Sequence, residues 1–183
     1  MHPHVIEADQ CFLLVVDLQQ SYAPVLHEWD RTIERASLLI RAARELELPV
    51  LFTEQYPKGV GPTTPRVREV LGDAPGFEKR TLSCLGAPGL LEHLGTLARG
   101  QAIVCGIETH ACINQTTHDL LGRGFQVHLP EDALSARTRS DHDSAYRKML
   151  ASGAIASSVE MALLEVLRTS EHPKFKAVHA LIK

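Results

Sequence analysis

The stretch Cys105-Gly-Ile-Glu-Thr-His-Ala-Cys112-Ile-Asn-Gln-Thr116 joins an apolar run to a helical segment that starts near Cys112. A helix N-terminus offers unpaired N–H groups and the positive end of the macrodipole, and both favour a thiolate over a thiol. Cys112 is therefore a candidate nucleophile. Sulfur attack on a carbonyl also needs a group that moves protons and donors for the oxyanion. Asp17 closes the apolar run Phe12-Leu-Leu-Val-Val16, where it would take the thiol proton and pass it to a leaving amine. Backbone N–H groups of the turn before Cys112, with its own N–H, are the expected oxyanion donors. Lys79 would lower the thiol pKa and pair with the Asp17 carboxylate. Residue pattern alone does not select it, because a bare lysine reads as a solvated side chain.

Neighbouring residues give weaker chemistry. His110 stands two positions before Cys112, and a tight turn keeps such a pair out of dyad geometry. Cys11 and Cys105 lie in or beside apolar runs and read as small buried hydrophobes. Cys84 reads as structural. No C-x-x-C pair is present, so the four cysteines are expected to be reduced thiols with no zinc site and no disulfide framework. His118-Asp119 and Asp141-His142-Asp143 fall on helix faces as solvated charge. Gln19, two residues beyond Asp17 and on the same face of an extended strand, and Tyr56, at the start of a long loop, are candidates to line a substrate pocket.

The elements that must position these groups follow from periodicity. Residues 12–16 and 50–53 are continuous apolar runs of buried parallel strands. Apolar residues at Trp29, Ile33, Ala36, Ile40 and Ala43 form a helical stripe closed by Pro49. A Pro/Gly-rich loop spans 57–65, and a loop of that length more often shapes a site than merely connects. Residues 66–76 give a short helix and turn, and 77–83 a weakly marked third strand. A helix follows Pro88 up to Gly100, and 102–105 make a fourth strand. The Cys112 helix stops at Gly122-Arg-Gly124, before a fifth strand at 125–129. Residues 141–151 form a helix and 154–156 a sixth strand. Ser157-Ser-Val-Glu160 reads as a capping box opening a helix to Leu167. In the tail, Phe175, Val178 and Leu181/Ile182 recur at helical spacing, to pack on the parent domain or on another subunit.

This alternation predicts one domain over residues 1–183, with an open, mostly parallel, Rossmann-like sheet covered by helices on both faces. Sites in such folds lie beyond the carboxyl ends of the strands, so Asp17, residues 54–56 and the loop before Cys112 should meet on one rim. The 183 residues are 44% hydrophobic and 22% charged, with formal net charge -3, an ordinary globular composition. That charge argues against nucleic-acid or membrane partners and for a small-molecule substrate. With no basic start before an apolar run and no apolar stretch of about 20 residues, the expected location is cytoplasmic.

Taken together, Val15-Val-Asp17-Leu-Gln19, Glu78-Lys79 and the Cys105–Thr116 stretch resemble the isochorismatase-like cysteine hydrolase superfamily in order and spacing. Thr53-Glu-Gln-Tyr-Pro-Lys-Gly59 and the closing His-Pro-Lys-Phe-Lys are similar to its small isochorismatase domain-containing branch. The resemblance implies a three-layer α/β/α fold with a six-stranded sheet and a catalytic triad of Asp17, Lys79 and Cys112. It also implies a non-proline cis peptide at Ile107-Glu108, which would aim the Glu108 N–H at the oxyanion beside that of Cys112. Metal-binding nicotinamidases of the superfamily carry an Asp-x-His pattern where this chain has Glu54-Gln-Tyr-Pro57, so no metal and no cofactor are expected. The implied reaction is hydrolysis of a small-molecule C–N bond other than a peptide bond, through a thioester. Vinyl-ether hydrolysis and a partner-binding role with little activity are the alternatives. A homo-oligomer, dimer or higher, is expected, with the apolar tail as a candidate contact.

Overall fold

The computed structural model describes residue 2 and residues 4–183. The reading of the first residues as lacking a leader falls partly on Met1 and Pro3, outside the described residues. Seven strands form one sheet, and every pairing in it is parallel. In chain order they are β1 (Cys11–Val16), β2 (Val50–Gln55), β3 (Gly76–Lys79), β4 (Gln101–Ile107), β5 (Gln126–Pro130), β6 (Leu134–Ser135) and β7 (Ile155–Ser157). The main order is β3-β2-β1-β4-β5-β7, and β6 pairs with the end of β4. The strand count exceeds the expected six by β6, two residues too short to show a period.

Strands β1 and β4 occupy the centre, which is why they read as unbroken apolar runs: both faces of each are buried. Cys11, Leu13 and Val15 of β1, with Ile103, Cys105 and Ile107 of β4, point into one core. That core is roofed by α1 (Trp29–Glu45), α7 (Val159–Leu167) and α8 (Phe175–Ile182). Phe12, Leu14 and Val16, with Ala102 and Val104, point into the other. Its roof is α4 (Leu90–Leu97), α5 (Asn114–Leu121) and α6 (Arg139–Ala151).

The Pro/Gly-rich loop contains a helical turn, α2 (Pro57–Val60), before α3 (Pro65–Leu71). Both helices open with proline in the first turn, where its missing N–H costs nothing. The capping box is shifted by one residue from its reading. Ser158, not Ser157, accepts the N–H of Met161, so Glu160 falls one position short of the reciprocal bond. The tail helix α8 docks on its own domain: Val178 is fully buried, and Phe175, Leu181 and Ile182 pack on the α1 core.

One glycine governs the centre of the sheet. Gly106 pairs with Val16 at φ 119°, and a Cβ there would overlap the Val16 carbonyl and amide nitrogen. Only glycine combines that conformation with that approach. The winding of the sheet reverses between β1 and β4, the point where open α/β sheets bind ligands.

Candidate active site

The segments leaving β1, β3 and β4 meet on this rim. Asp17 follows β1 with φ 52°, a left-handed conformation that Asp adopts more readily than most residues. Its N–H donates to the Thr53 carbonyl at 3.1 Å, and its Oδ1 accepts from the Thr53 hydroxyl at 2.7 Å. Residue pairing of Gln55 with Lys79 sets the end of β3 beside β2. The Lys79 side chain has no solvent exposure, and its Nζ lies 2.6 Å from Asp17 Oδ2. The same ammonium donates to Gln55 Oε1 at 2.6 Å, to the Thr81 and Leu82 carbonyls at 3.3 and 3.2 Å, and to Cys112 Sγ at 3.3 Å. Burial opposes its charge, but the Asp17 carboxylate stands against it, and the pKa lies above the ordinary lysine value. Lys79 therefore remains a cation at neutral pH.

Cys112 arrives from the other side. The Ile107-Glu108 peptide after β4 is cis, and Thr109–Ile113 make a π-helical turn that runs into α5. Helical winding thus begins three residues before Cys112. Cys112 is 5% exposed, and its thiol pKa is pushed up to about 12, first by burial and then by Asp17, against the pull of Lys79. Desolvation and the carboxylate thus oppose the helix field and Lys79 at this sulfur and favour the thiol. The Lys79 ammonium donates to this sulfur at 3.3 Å, and the Asp17 carboxylate lies close enough to raise its pKa. Such an arrangement can pass the thiol proton to Asp17 as the sulfur attacks, with Lys79 offsetting negative charge throughout.

The remaining sequence candidates fall in different places. Gln19 is fully buried. Its Nε2 donates to the carbonyls of Gln55 and Gly61 at 3.0 and 2.6 Å, and its Oε1 accepts the Gln55 N–H at 2.8 Å. The side chain ties the end of β2 to the following loop and has no surface to offer a substrate. Tyr56 is 39% exposed and borders a cavity of about 450 Å³ shared with Lys58, Lys79, Arg80 and Pro88. Gly59 packs on its ring, and the Arg80 guanidinium lies 3.9 Å from the ring centroid, so what remains free is mainly an edge. His110 Nδ1 is buried without a partner among the described residues, whereas Cys112 Sγ accepts from Lys79. Cys84 is fully buried, 3.6 Å from the Thr53 hydroxyl. Among the described residues no group of three His, Cys, Asp or Glu could hold a metal.

Sequence reasoning missed several participants. Thr53 and Gln55 lie in the 53–59 segment already singled out, but only the pairing of β2 with β1 and β3 shows that they orient Asp17 and Lys79. Tyr22 is half-buried against the α1 core, and its phenol is pushed up by burial and then by Asp17, Cys112 and Glu108. Arg137 donates Nε to Glu108 Oε1 at 2.7 Å. Its polar sequence neighbours gave no sign of this.

The sequence profile of the isochorismatase domain matches residues 11–161. The chain belongs to the isochorismatase family. Isochorismatase domain-containing protein 2 of Macaca fascicularis is 38% identical over 173 residues, covering 93% of this chain and 82% of that protein. The structure of MAR1 ribonuclease from Caenorhabditis elegans superposes with a TM-score of 0.93 at 39% identity, over 97% of this chain and 92% of that one. The Escherichia coli YcaC gene product, described as an octameric hydrolase of unknown specificity, shares the fold with a TM-score of 0.91 at 20% identity, over 97% of this chain and 89% of the other. The isochorismatase-family chain thus has a hydrolase fold, and no helix among its described residues is long and apolar enough to cross a membrane.

Proposed function

We propose that this isochorismatase-family protein is a cysteine hydrolase that cleaves a non-peptide C–N bond of a small amide without a cofactor. The observation that carries the reading is the position of one buried ammonium, 2.6 Å from Asp17 and 3.3 Å from Cys112. As Cys112 Sγ attacks the carbonyl carbon, its proton moves to Asp17, and the N–H groups of Glu108 and Cys112 receive the oxyanion. Collapse of the tetrahedral species breaks the C–N bond, and Asp17 returns the proton to the leaving nitrogen. Water, deprotonated by Asp17, then attacks the thioester and releases the acid and the thiol. Because the sulfur rests as a thiol, Asp17 must act as the base in the first step.

Retention of a cysteine at the centre favours this chemistry over vinyl-ether hydrolysis, which does not need one. Mass spectrometry after limiting iodoacetamide should find Cys112 modified first, and Cys112→Ala should abolish turnover in a screen of small amides. Labelling of Cys84 with Cys112 untouched overturns the reading. The ribonuclease name of the nematode relative gives a second reading, at 39% identity. A net charge of -3 and a nearly closed sulfur argue against a polynucleotide substrate. RNA cleavage by the wild type and not by Cys112→Ala would reverse that preference.

Homo-oligomeric assembly is part of the proposal. The tail helix α8 buries Val178 in its own core and leaves Phe175, Leu181 and Ile182 partly exposed. Met161 and Leu164, 50% and 42% exposed and one turn apart on α7, supply a second apolar strip. A monomer by light scattering would rule assembly out.

A further inference from the structure

One helix reaches the turn that presents the proposed oxyanion donors, and no step of the reaction yet uses it. His142, in the first turn of α6, belongs to the run Asp141-His142-Asp143 that reads in the sequence as solvated charge, but its side chain is only 12% exposed. Its Nδ1 lies 3.0 Å from the hydroxyl oxygen of Thr109, a fully buried residue placed between Glu108 and Cys112. The other ring nitrogen, Nε2, stands 3.7 Å from Glu131 Oε1. The proton of the neutral ring therefore belongs on Nε2, and Nδ1 accepts from the hydroxyl. Burial holds this imidazole below its ordinary pKa, against the pull of Glu131 and Asp143, so the ring is neutral at pH 7. It stacks on Tyr146 at 5.9 Å between centroids and 8° between planes, and the Tyr146 hydroxyl donates to the Leu129 carbonyl at 3.2 Å. A continuous chain of contacts thus runs from β5 through α6 to Thr109.

We infer that His142 is a positioning residue for the reaction: through the Thr109 hydroxyl it holds the turn that aims the Glu108 and Cys112 N–H groups at the oxyanion. The inference rests on the reading of Cys112 as the nucleophile and adds to it what sets the geometry of the donors. The Glu108 carbonyl accepts the N–H groups of Ala111 and Ile113 at 2.9 and 3.2 Å, so the turn is closed on itself and moves as one piece. Its strand side is set by the pairing of Ile107 with Ser135. The side toward α6 is set at Thr109. Oxyanion donors are effective only when they are fixed in advance where charge develops, and a buried hydroxyl without its partner gives the turn a reason to shift. His142 acts through Thr109 and not on the reacting atoms.

Two electrophiles, one of which forms an oxyanion and one of which does not, separate positioning from a general loosening of the site. With p-nitrophenyl acetate, Cys112 Sγ bonds to the ester carbonyl carbon, an oxyanion forms, and the C–O bond breaks with release of p-nitrophenolate while the thiol proton goes to Asp17. With iodoacetamide the S–C bond forms as the C–I bond breaks, iodide leaves, the proton again goes to Asp17, and no oxyanion is made. Mass spectrometry locates each adduct, and the readout is the ratio of acylation rate to alkylation rate at Cys112. His142→Ala and Thr109→Val should each lower that ratio about tenfold, and the double variant should fall no further than either single one. His142→Asn, whose amide oxygen can stand near the place of Nδ1, and Thr109→Ser should retain most of it. An unchanged ratio in His142→Ala, including one in which both rates fall together, overturns the positioning role and leaves the hydrolase reading intact. Equal losses in His142→Ala and His142→Asn do the same, by assigning the effect to ring packing on Tyr146. Wild-type protein that takes acetyl on another residue and none on Cys112 overturns both.

Discussion

The two halves of the site are built on opposite plans. On the β2-β1-β3 side, Asp17 and Lys79 are enclosed and held by Thr53, Gln55 and two backbone carbonyls. On the β4-β6 side, Glu108 and Arg137 face the mouth with a free guanidinium fork and a 60% exposed side chain. The first half fixes where charge and proton sit, and little in it can move without leaving a buried ion unpaired. The second can change its residues with little effect on the fold.

The contrast is most severely tested by Lys79→Met, which leaves the Asp17 carboxylate buried without its cation. Chemical denaturation should show a loss of about 3–5 kcal/mol, and a loss below about 1 kcal/mol would mean that the pair is not the anchor described. Thr53→Val removes a hydroxyl donor from the same carboxylate and should cost about 1.5–3 kcal/mol. Thr53→Ser should recover most of it; equal losses in both variants would point to packing instead of the hydrogen bond.

A third measurement concerns the sulfur, at the junction of the halves. The folded Cys112 pKa is raised from 9.0 to about 12, so its contribution to stability is whole below pH 9.0 and is lost as pH rises toward about 12. The stability difference between wild type and Cys112→Ser should then shrink by about 1.4 kcal/mol per pH unit above 9.0. The ultraviolet absorption of a thiolate should be absent at pH 7. In Asp17→Asn, which deletes the charge raising that pKa, it should emerge at lower pH, and a thiolate already present in the wild type at pH 7 would refute the assignment. The smallest effect belongs to the open half: Arg137→Gln should alter stability by no more than about 0.5 kcal/mol, because its ion pair is exposed.

Legibility in the sequence follows the same division. Asp17 could be read because it ends an apolar strand, and Cys112 because it follows one. A buried lysine looks like any other lysine in a linear chain, so Lys79 was indicated only by its resemblance to a family pattern. Gln19 reads as a pocket residue only on a strand continued past Asp17, whereas β1 ends at Val16 and the carbonyls that occupy its amide lie 36 and 42 residues further on. The two residues of β6 have no periodicity to detect, yet they bring Arg137 to Glu108. The capping box slipped by one because two serines in a row satisfy the same local chemistry.

Gly106 has a consequence for how such a chain tolerates variation. In a saturation scan of β4, neighbouring apolar positions should accept several residues of similar volume. Position 106 should accept a single letter, because any side chain meets the Val16 carbonyl and prises the strand that carries Asp17 from the strand that carries the Cys112 turn. The narrowest column in that scan would then mark a residue that has no side chain and touches no substrate, and whose contribution is the room it leaves empty.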